Sequence, residues 1–330
     1  MSIANSFSAF RIHNDGQGYR AGIEEISLDD LNAGEVVIEA AYSSINYKDA
    51  LAGTGKGKIL RQFPLVGGID VAGTVVRSED PRFREGDPVL CTGSGLSETR
   101  DGGYSKYVRL EAQWTVPLPA GLDLREAMIL GTAGFTAALG LLRMEENRQK
   151  PAMGPLAVTG ATGGVGMLAV DIYSAAGYEV HAFSGKSERA SFLRDVGASE
   201  VLPRDAALCD KPMGSARFGG ALDNVGGDTL AGLLAQTVPY GNVASCGLAG
   251  SHSLPTTVMP FIIRGVSLLG VASAGTARDV REEVWQRLSS DWKPRHLDAV
   301  CTREVGLEEL HDVFPRMLAG DSFGRTLVRL

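Results

Sequence analysis

Residues 159–166 read Thr159-Gly160-Ala161-Thr162-Gly163-Gly164-Val165-Gly166, with an apolar, strand-like run over 156–159 before them and a helical stretch over 165–176 after them. Few eight-residue strings restrict a fold more. Glycines at the turn and where the chain would pass a pyrophosphate remove the Cβ atoms that block close approach. The helix start then presents unpaired N–H groups and the positive end of its dipole to an anion. Tight turns also use glycine, so the string gains meaning only from its place between a strand and a helix.

That place is repeated. A second strand over 178–183 is followed by Ser187 as an expected N-cap and a helix reaching Val196, and Gly177 and Gly197 stand where the two helices should end. Further strands are expected at 200–202, 220–223, 242–246 and 266–271, which completes the six-strand count of a doubly wound Rossmann sheet of α/β class. Before about residue 120 the pattern differs: short apolar runs at 35–41, 71–76 and 88–91 are punctuated by Gly and Pro, as in an irregular, mainly β domain. The last stretch, with a helix expected over 307–319 and a strand over 325–329, resembles that first part in composition. The expected division is 1–124 with 297–330 as one domain and 125–296 as a dinucleotide-binding domain.

Cofactor choice is read at the end of the second strand. A site for NAD usually places a carboxylate there, about 20 residues past the first glycine, on the ribose 2′-hydroxyl. Here the chain reads Ser184-Gly185-Lys186, with Arg189 and Arg204 beyond. Basic groups without an acid suit a 2′-phosphate, so NADPH is expected. The alternative is that Lys186 and Arg189 are a solvated helix start; Glu188 is expected to face outward.

A formal net charge of -7 and the lack of any run of five basic residues argue against nucleic acid as a partner. The first ten residues lack a basic segment followed by an apolar one, so no signal peptide is expected. No stretch approaches the roughly 20 apolar residues of a membrane span. Cys91, Cys209, Cys246 and Cys301 are far apart, and the five histidines have no ligand spacing. No disulfide framework and no metal are expected, and a reducing, cytoplasmic setting fits.

Four further strings carry a resemblance: Asn46-Tyr47-Lys48-Asp49, Gly67-Gly68-Ile69-Asp70-Val71-Ala72-Gly73, Asp101-Gly102-Gly103-Tyr104-Ser105-Lys106-Tyr107-Val108 and Gly131-Thr132-Ala133-Gly134-Phe135-Thr136-Ala137-Ala138. In order and content they resemble the medium-chain dehydrogenase/reductase superfamily along nearly the whole chain. They look closest to its zinc-free, quinone-oxidoreductase-like branch. Asn46-Tyr47-Lys48-Asp49-Ala50-Leu51, Val201-Leu202-Pro203-Arg204-Asp205 and Gly324-Arg325-Thr326-Leu327-Val328 narrow the match to the acrylyl-CoA reductase (NADPH) group.

The resemblance implies a GroES-like catalytic domain beside the Rossmann domain. It also implies NADPH-dependent reduction of acrylyl-CoA to propionyl-CoA and a homodimer paired through the strand at 266–271. It places NADPH contacts at Tyr47, Thr162, Gly163, Gly164, Val165, Ser184, Gly185, Lys186, Arg204, Leu248, Ile262 and Ser273. Family members can carry a polar contact near the C-terminus where this chain reads Ala319-Gly320-Asp321, and no side-chain contact is carried over there. Zinc-dependent relatives have a cysteine near Asn46 and Gly-His-Glu near Gly68. This chain has no cysteine before Cys91 and reads Ile69-Asp70.

Without a Lewis acid, reduction of a simple ketone would lose the main means of polarising its oxygen. Conjugate reduction needs less. Hydride at the β-carbon of an enoyl thioester moves charge onto the thioester oxygen, where hydrogen-bond donors can stabilise it, and a proton then reaches the α-carbon. Tyr47 is the candidate donor, since a phenol of pKa about 10 stays protonated at neutral pH; its other role is to stack beside or hydrogen-bond the nicotinamide. Asn46 either orients the enolate oxygen or satisfies the backbone of a turn. Asp49 fits a helix start equally well.

The loop Gly53-Thr54-Gly55-Lys56-Gly57-Lys58 lacks the spacing of a phosphate loop, though its lysines, Arg61 and Arg264 are candidates for CoA phosphates. The competing readings are an NADPH-dependent quinone or small-enone reductase, a protein that holds NADPH without turnover, and a zinc alcohol dehydrogenase.

Overall fold

A computed structural model describes residues 3–330. The chain begins with strands β1 (Phe7–Asp15), β2 (Gly18–Ile26) and β3 (Val36–Ser44), then the helix α1 (Tyr47–Thr54). The strands β4 (Leu65–Val66), β5 (Asp70–Ser78), β6 (Pro88–Thr92), β7 (Tyr107–Leu110) and β8 (Val116–Pro117) follow, and α2 (Leu124–Glu146) closes this part. Next come β9 (Leu156–Val158), α3 (Gly164–Ala175), β10 (Val180–Ser184), α4 (Ala190–Asp195), β11 (Glu200–Pro203), β12 (Phe218–Asp223), α5 (Gly227–Gln236), β13 (Thr237–Ser245), α6 (Met259–Arg264) and β14 (Ser267–Gly270). After α7 (Arg278–Leu288) and α8 (Leu297–Val300), the chain ends with β15 (Cys301–Val305), α9 (Leu310–Leu318) and β16 (Arg325–Arg329).

Two compact units result. The first holds the residues up to Thr132 with Ala274–Glu283 and Leu297–Leu330; the second holds Ala133–Ser273 with Val284–His296. The first unit therefore runs past the expected limit at residue 124 and takes a piece from inside the expected dinucleotide domain. Side chains explain both shifts. Thr132 is held by Asp70, and Arg325 Nε donates to Ile129 O at 2.9 Å. The buried Arg281 guanidinium donates to Thr92 O at 2.8 Å, which anchors the 274–283 piece.

The first unit is mainly β. One sheet has the order β2-β1-β4; the other has β15-β16-β3-β5-β6-β8, with β7 also paired to β3. Its core has two parts. Phe10, Ile12, Tyr104 and Phe314 are buried in one, with Phe10 and Phe314 edge to face at 5.8 Å, and Val36, Ile38, Val71, Val75, Val89 and Cys91 fill the other. Ring pairs at such spacing add to the stabilisation from apolar burial.

The second unit is a parallel Rossmann-type sheet of order β11-β10-β9-β12-β13-β14. Its inner strands read as continuous apolar runs because both faces are covered; Leu156, Ala157, Val158, Ala221, Leu222 and Val243 are all buried. Gly177 and Gly197 end α3 and α4 with φ of 88° and 120°, conformations that suit glycine. Ser187 does not cap a helix. Ser184 Oγ accepts from Lys186 N at 3.0 Å, Ser187–Arg189 forms a 3-10 turn, and α4 starts only at Ala190. The helix α2 is long and apolar enough to cross a membrane, but it is almost wholly buried inside the protein and kinked at Gly131, as a core helix is.

Candidate active site

A cavity of about 270 Å³ opens at the carboxyl ends of β9, β10 and β12, where open α/β sheets bind ligands. Thr159, Gly160 and Thr162 form one wall, Phe183, Ser184, Gly185 and Lys186 a second, and Val225, Thr229, Ala249 and Gly250 a third, with Arg204 among them. The glycine loop is tightly built: a Cβ on Gly166 would lie 2.4 Å from Gly160 O, so only glycine lets α3 start where it does. Gly163 is its N-cap and Gly164 its first residue. Arg204 is exposed, and its guanidinium lies against Gly185, where a Cβ would meet Nη2 at 2.5 Å.

Of the residues singled out from sequence, Thr162, Ser184, Gly185, Lys186 and Arg204 meet at this cavity. Gly163, Gly164 and Val165 begin the adjoining helix, and Arg189 lies exposed in the turn after β10. Leu248 and Ile262 are exposed apolar side chains outside the lining. Ser273 accepts a hydrogen bond from Thr136 Oγ1 at 2.8 Å. Sequence reasoning missed the third wall. Asp223 builds it: Thr159 Oγ1 donates to its Oδ1 at 2.8 Å and Gly226 N to its Oδ2 at 2.7 Å, while burial raises its carboxyl above the usual range. The signal available was Asp223-Asn224-Val225-Gly226-Gly227, a strand end followed by two glycines.

The first unit carries the other candidates. Asn46 is the N-cap of α1 and Tyr47 its first residue, with the tyrosine 59% exposed. Behind them lies a buried polar cluster. Asn46 Nδ2 donates to Asp70 Oδ2 at 2.8 Å and to Asp49 Oδ2 at 3.3 Å, while its Oδ1 accepts from Arg325 Nη1 at 3.2 Å. Asp70 also accepts from Ser44 Oγ at 2.7 Å and from the N–H and hydroxyl of Thr132. Asp49 accepts from Asn46 N at 2.8 Å and Ile69 N at 2.9 Å. Burial, and then the charge of Asp70, pushes the Asp49 carboxyl up to about 7.

These contacts engage both amide N–H groups of Asn46. Gly131 completes the cluster: φ of 49° and ψ of -154° suit glycine alone, and a Cβ there would lie 2.6 Å from both Asp70 Oδ2 and Ser44 Oγ. The donor set does not fit zinc. At the cluster stand an amide, two carboxylates already receiving N–H and O–H donors, and a buried arginine, whereas zinc takes thiolate, imidazole and open carboxylate in a tetrahedron. Among the described residues no three His, Cys, Asp or Glu side chains are grouped to hold a metal ion.

Two other expectations change. Arg264 donates to the carbonyls of Ala235 at 2.9 Å, Thr237 at 3.1 Å and Gly214, so its guanidinium is committed to its own unit rather than to CoA phosphate. The 53–58 loop is the end of α1, with Gly55 as its left-handed C-cap; Lys56, Lys58 and Arg61 are exposed.

Family models agree with this division: an alcohol dehydrogenase GroES-like domain matches residues 32–120 and a zinc-binding dehydrogenase domain matches 164–290. YhfP of Bacillus subtilis, which bears a quinone oxidoreductase name, is 47% identical over 99% of this chain and 100% of its own. The acrylyl-CoA reductase AcuI of Ruegeria pomeroyi is 41% identical over 98% of each chain. The crystal structure of the yhdH oxidoreductase of Salmonella enterica in complex with NADP superposes with a TM-score of 0.94, at 44% identity and over 98% of this chain and 99% of that one. YhfP has been solved with NAD bound, and that structure superposes with a TM-score of 0.96 at 46% identity over 99% of this chain and 100% of that one. With the glycine-loop cavity in a parallel sheet, a separate mainly β unit and relatives matched end to end, the chain belongs to the medium-chain dehydrogenase/reductase superfamily of oxidoreductases.

Proposed function

We propose that this chain is an NADPH-dependent reductase of a carbon–carbon double bond conjugated to a thioester carbonyl, with acrylyl-CoA as substrate and propionyl-CoA as product. Arg204 carries the cofactor part of this reading. It lies on Gly185 at the end of β10, where no carboxylate lines the cavity, and it offers a planar, permanently charged donor set to a 2′-phosphate. Bound there, NADPH supplies a hydride for the β-carbon of the substrate. Thr162 and the start of α3 would hold its pyrophosphate, and Ser184 and Lys186 would border its adenosine ribose.

Tyr47 is the group assigned to the proton. Its phenol is solvent-exposed at a helix start, able to donate to the α-carbon or to a water that does so. Asn46, with both amide N–H groups given to Asp70 and Asp49, supports Tyr47 rather than donating to the enolate oxygen. The exposed Lys56, Lys58 and Arg61 are the basic groups assigned to CoA phosphates.

The name borne by YhfP favours a second reading, reduction of quinones on the same scaffold. Measuring NADPH oxidation side by side with acrylyl-CoA, crotonyl-CoA and a small quinone separates them. The first reading expects acrylyl-CoA to give the largest kcat/KM, crotonyl-CoA much less and the quinone little. A quinone turned over faster than acrylyl-CoA would replace the first reading with the second.

The strand β14 is the outer strand of the six-stranded sheet, and Leu268 upon it and Ile262 and Ile263 near it are exposed. An open edge flanked by apolar side chains suits pairing with a second copy about a two-fold axis, and a homodimer belongs to this proposal.

A further inference from the structure

Tyr47 is held in place by nothing at the level of its own ring. Among the described residues its side chain has no hydrogen-bond, ion-pair or ring partner, and it stands at the first position of an eight-residue helix. Two turns of helix are marginal without fixed ends. What is fixed is the backbone behind it. Asp49, in the first turn of α1, binds the N–H of Asn46 and that of Ile69, tying the helix start to the chain entering β5. Asp70 binds the Asn46 amide and Thr132, and Arg325 on β16 binds that amide and Ile45 O at 3.1 Å. Three segments far apart in sequence are joined through one asparagine.

We propose that Asp49, Asp70 and Arg325 are positioning residues that fix Tyr47 through Asn46, and that Asp49 does so only as a carboxylate. The inference rests on the assignment of Tyr47 above. Asp49 receives N–H donors on both oxygens, and such bonds are about twice as strong to an ionised carboxylate as to a neutral one, so a proton on Asp49 weakens both ties. The charged and titratable groups that face it are Asp70 from β5, Arg325 from β16 and the buried phenol of Tyr104, whose hydroxyl lies within hydrogen-bond reach of Asp49 as well as of Ser44 O at 3.1 Å. Burial, and then the charge of Asp70, favours the protonated form and the N–H bonds of Asn46 and Ile69 the ionised one, so the carboxylate forms, and the helix start is tied down, as pH rises through about 7.

The test is a double-mutant cycle on kcat for NADPH oxidation, run with whichever of acrylyl-CoA or the quinone is turned over faster. Displacing a reacting group by about an ångström costs on the order of 100-fold, so D49N is expected to lower kcat roughly 10- to 100-fold while the KM for NADPH stays within about twofold. In a Y47F background the same D49N change is expected to cost less than about twofold, because nothing remains to be positioned. An equal cost in both backgrounds overturns the proposal.

Y47F with the wild-type kcat removes the Tyr47 assignment itself, and the proposal with it; that outcome is read from the single variant. D70N covers the case in which D49N does not fold. Loss of the neighbouring negative charge lets Asp49 ionise more easily, so the acid limb of the kcat–pH profile moves to lower pH, and an unmoved limb contradicts the proposal.

Discussion

In the proposed function, Arg204 is the side chain on which cofactor choice turns. A guanidinium facing a 2′-phosphate forms charge-assisted bonds that a 2′-hydroxyl cannot match. Replacing it with Ala is expected to raise the KM for NADPH by about tenfold or more, the value of one such bond, and to leave that for NADH within about twofold. Equal effects on the two cofactors in steady-state kinetics would remove the assignment. The place of Arg204 at the cavity was readable in the sequence because spacing alone locates the residues that follow a strand end. The cluster behind Tyr47 was not readable. Asp49 looked like a helix-start residue, which it is, but Arg325 reaches Ile45 O from 280 residues away, and no local pattern encodes a partner so distant.

The elements followed their periodicity where turn chemistry was local. The unit from β9 to α3 was legible because its glycines, its apolar strand and its helix each point to the same turn. The kink within α2 was not, since a glycine inside an apolar helical stretch does not by itself say where the helix bends, and the bond that Thr132 N makes to Asp70 at the kink comes from a residue 62 positions away. That bend joins the helix to the polar cluster. Gly131→Ala should therefore be costly: about 1–3 kcal/mol for the backbone conformation, and more for the overlap with Asp70 and Ser44. Chemical denaturation should show a loss of at least about 2 kcal/mol, and a change under about 0.5 kcal/mol, the range of an uneventful surface substitution, would show that the kink is not required.

At the scale of the whole molecule, the α/β class and the return of the chain to its first unit were legible from the change in strand and helix pattern. The limits of the units were not, because they depend on Arg281 and Arg325, buried arginines that fasten remote segments. Assembly belongs to this scale too. Ile263→Asp together with Leu268→Lys places charge on the exposed edge of the sheet and is expected to convert a dimer to a monomer in sedimentation velocity. A wild-type monomer, or an unchanged dimer in the variant, would refute pairing through β14.

In conjugate reduction the hydride and the proton go to different carbons, and isotope tracing follows each separately. With NADPH deuterated at the transferred position and acrylyl-CoA in ordinary water, conjugate reduction gives one deuterium at the β-carbon of propionyl-CoA and none at the α-carbon; in heavy water with unlabelled cofactor the pattern reverses. Deuterium from the cofactor at the α-carbon, or no propionyl-CoA formed while NADPH is consumed with a quinone, would contradict it.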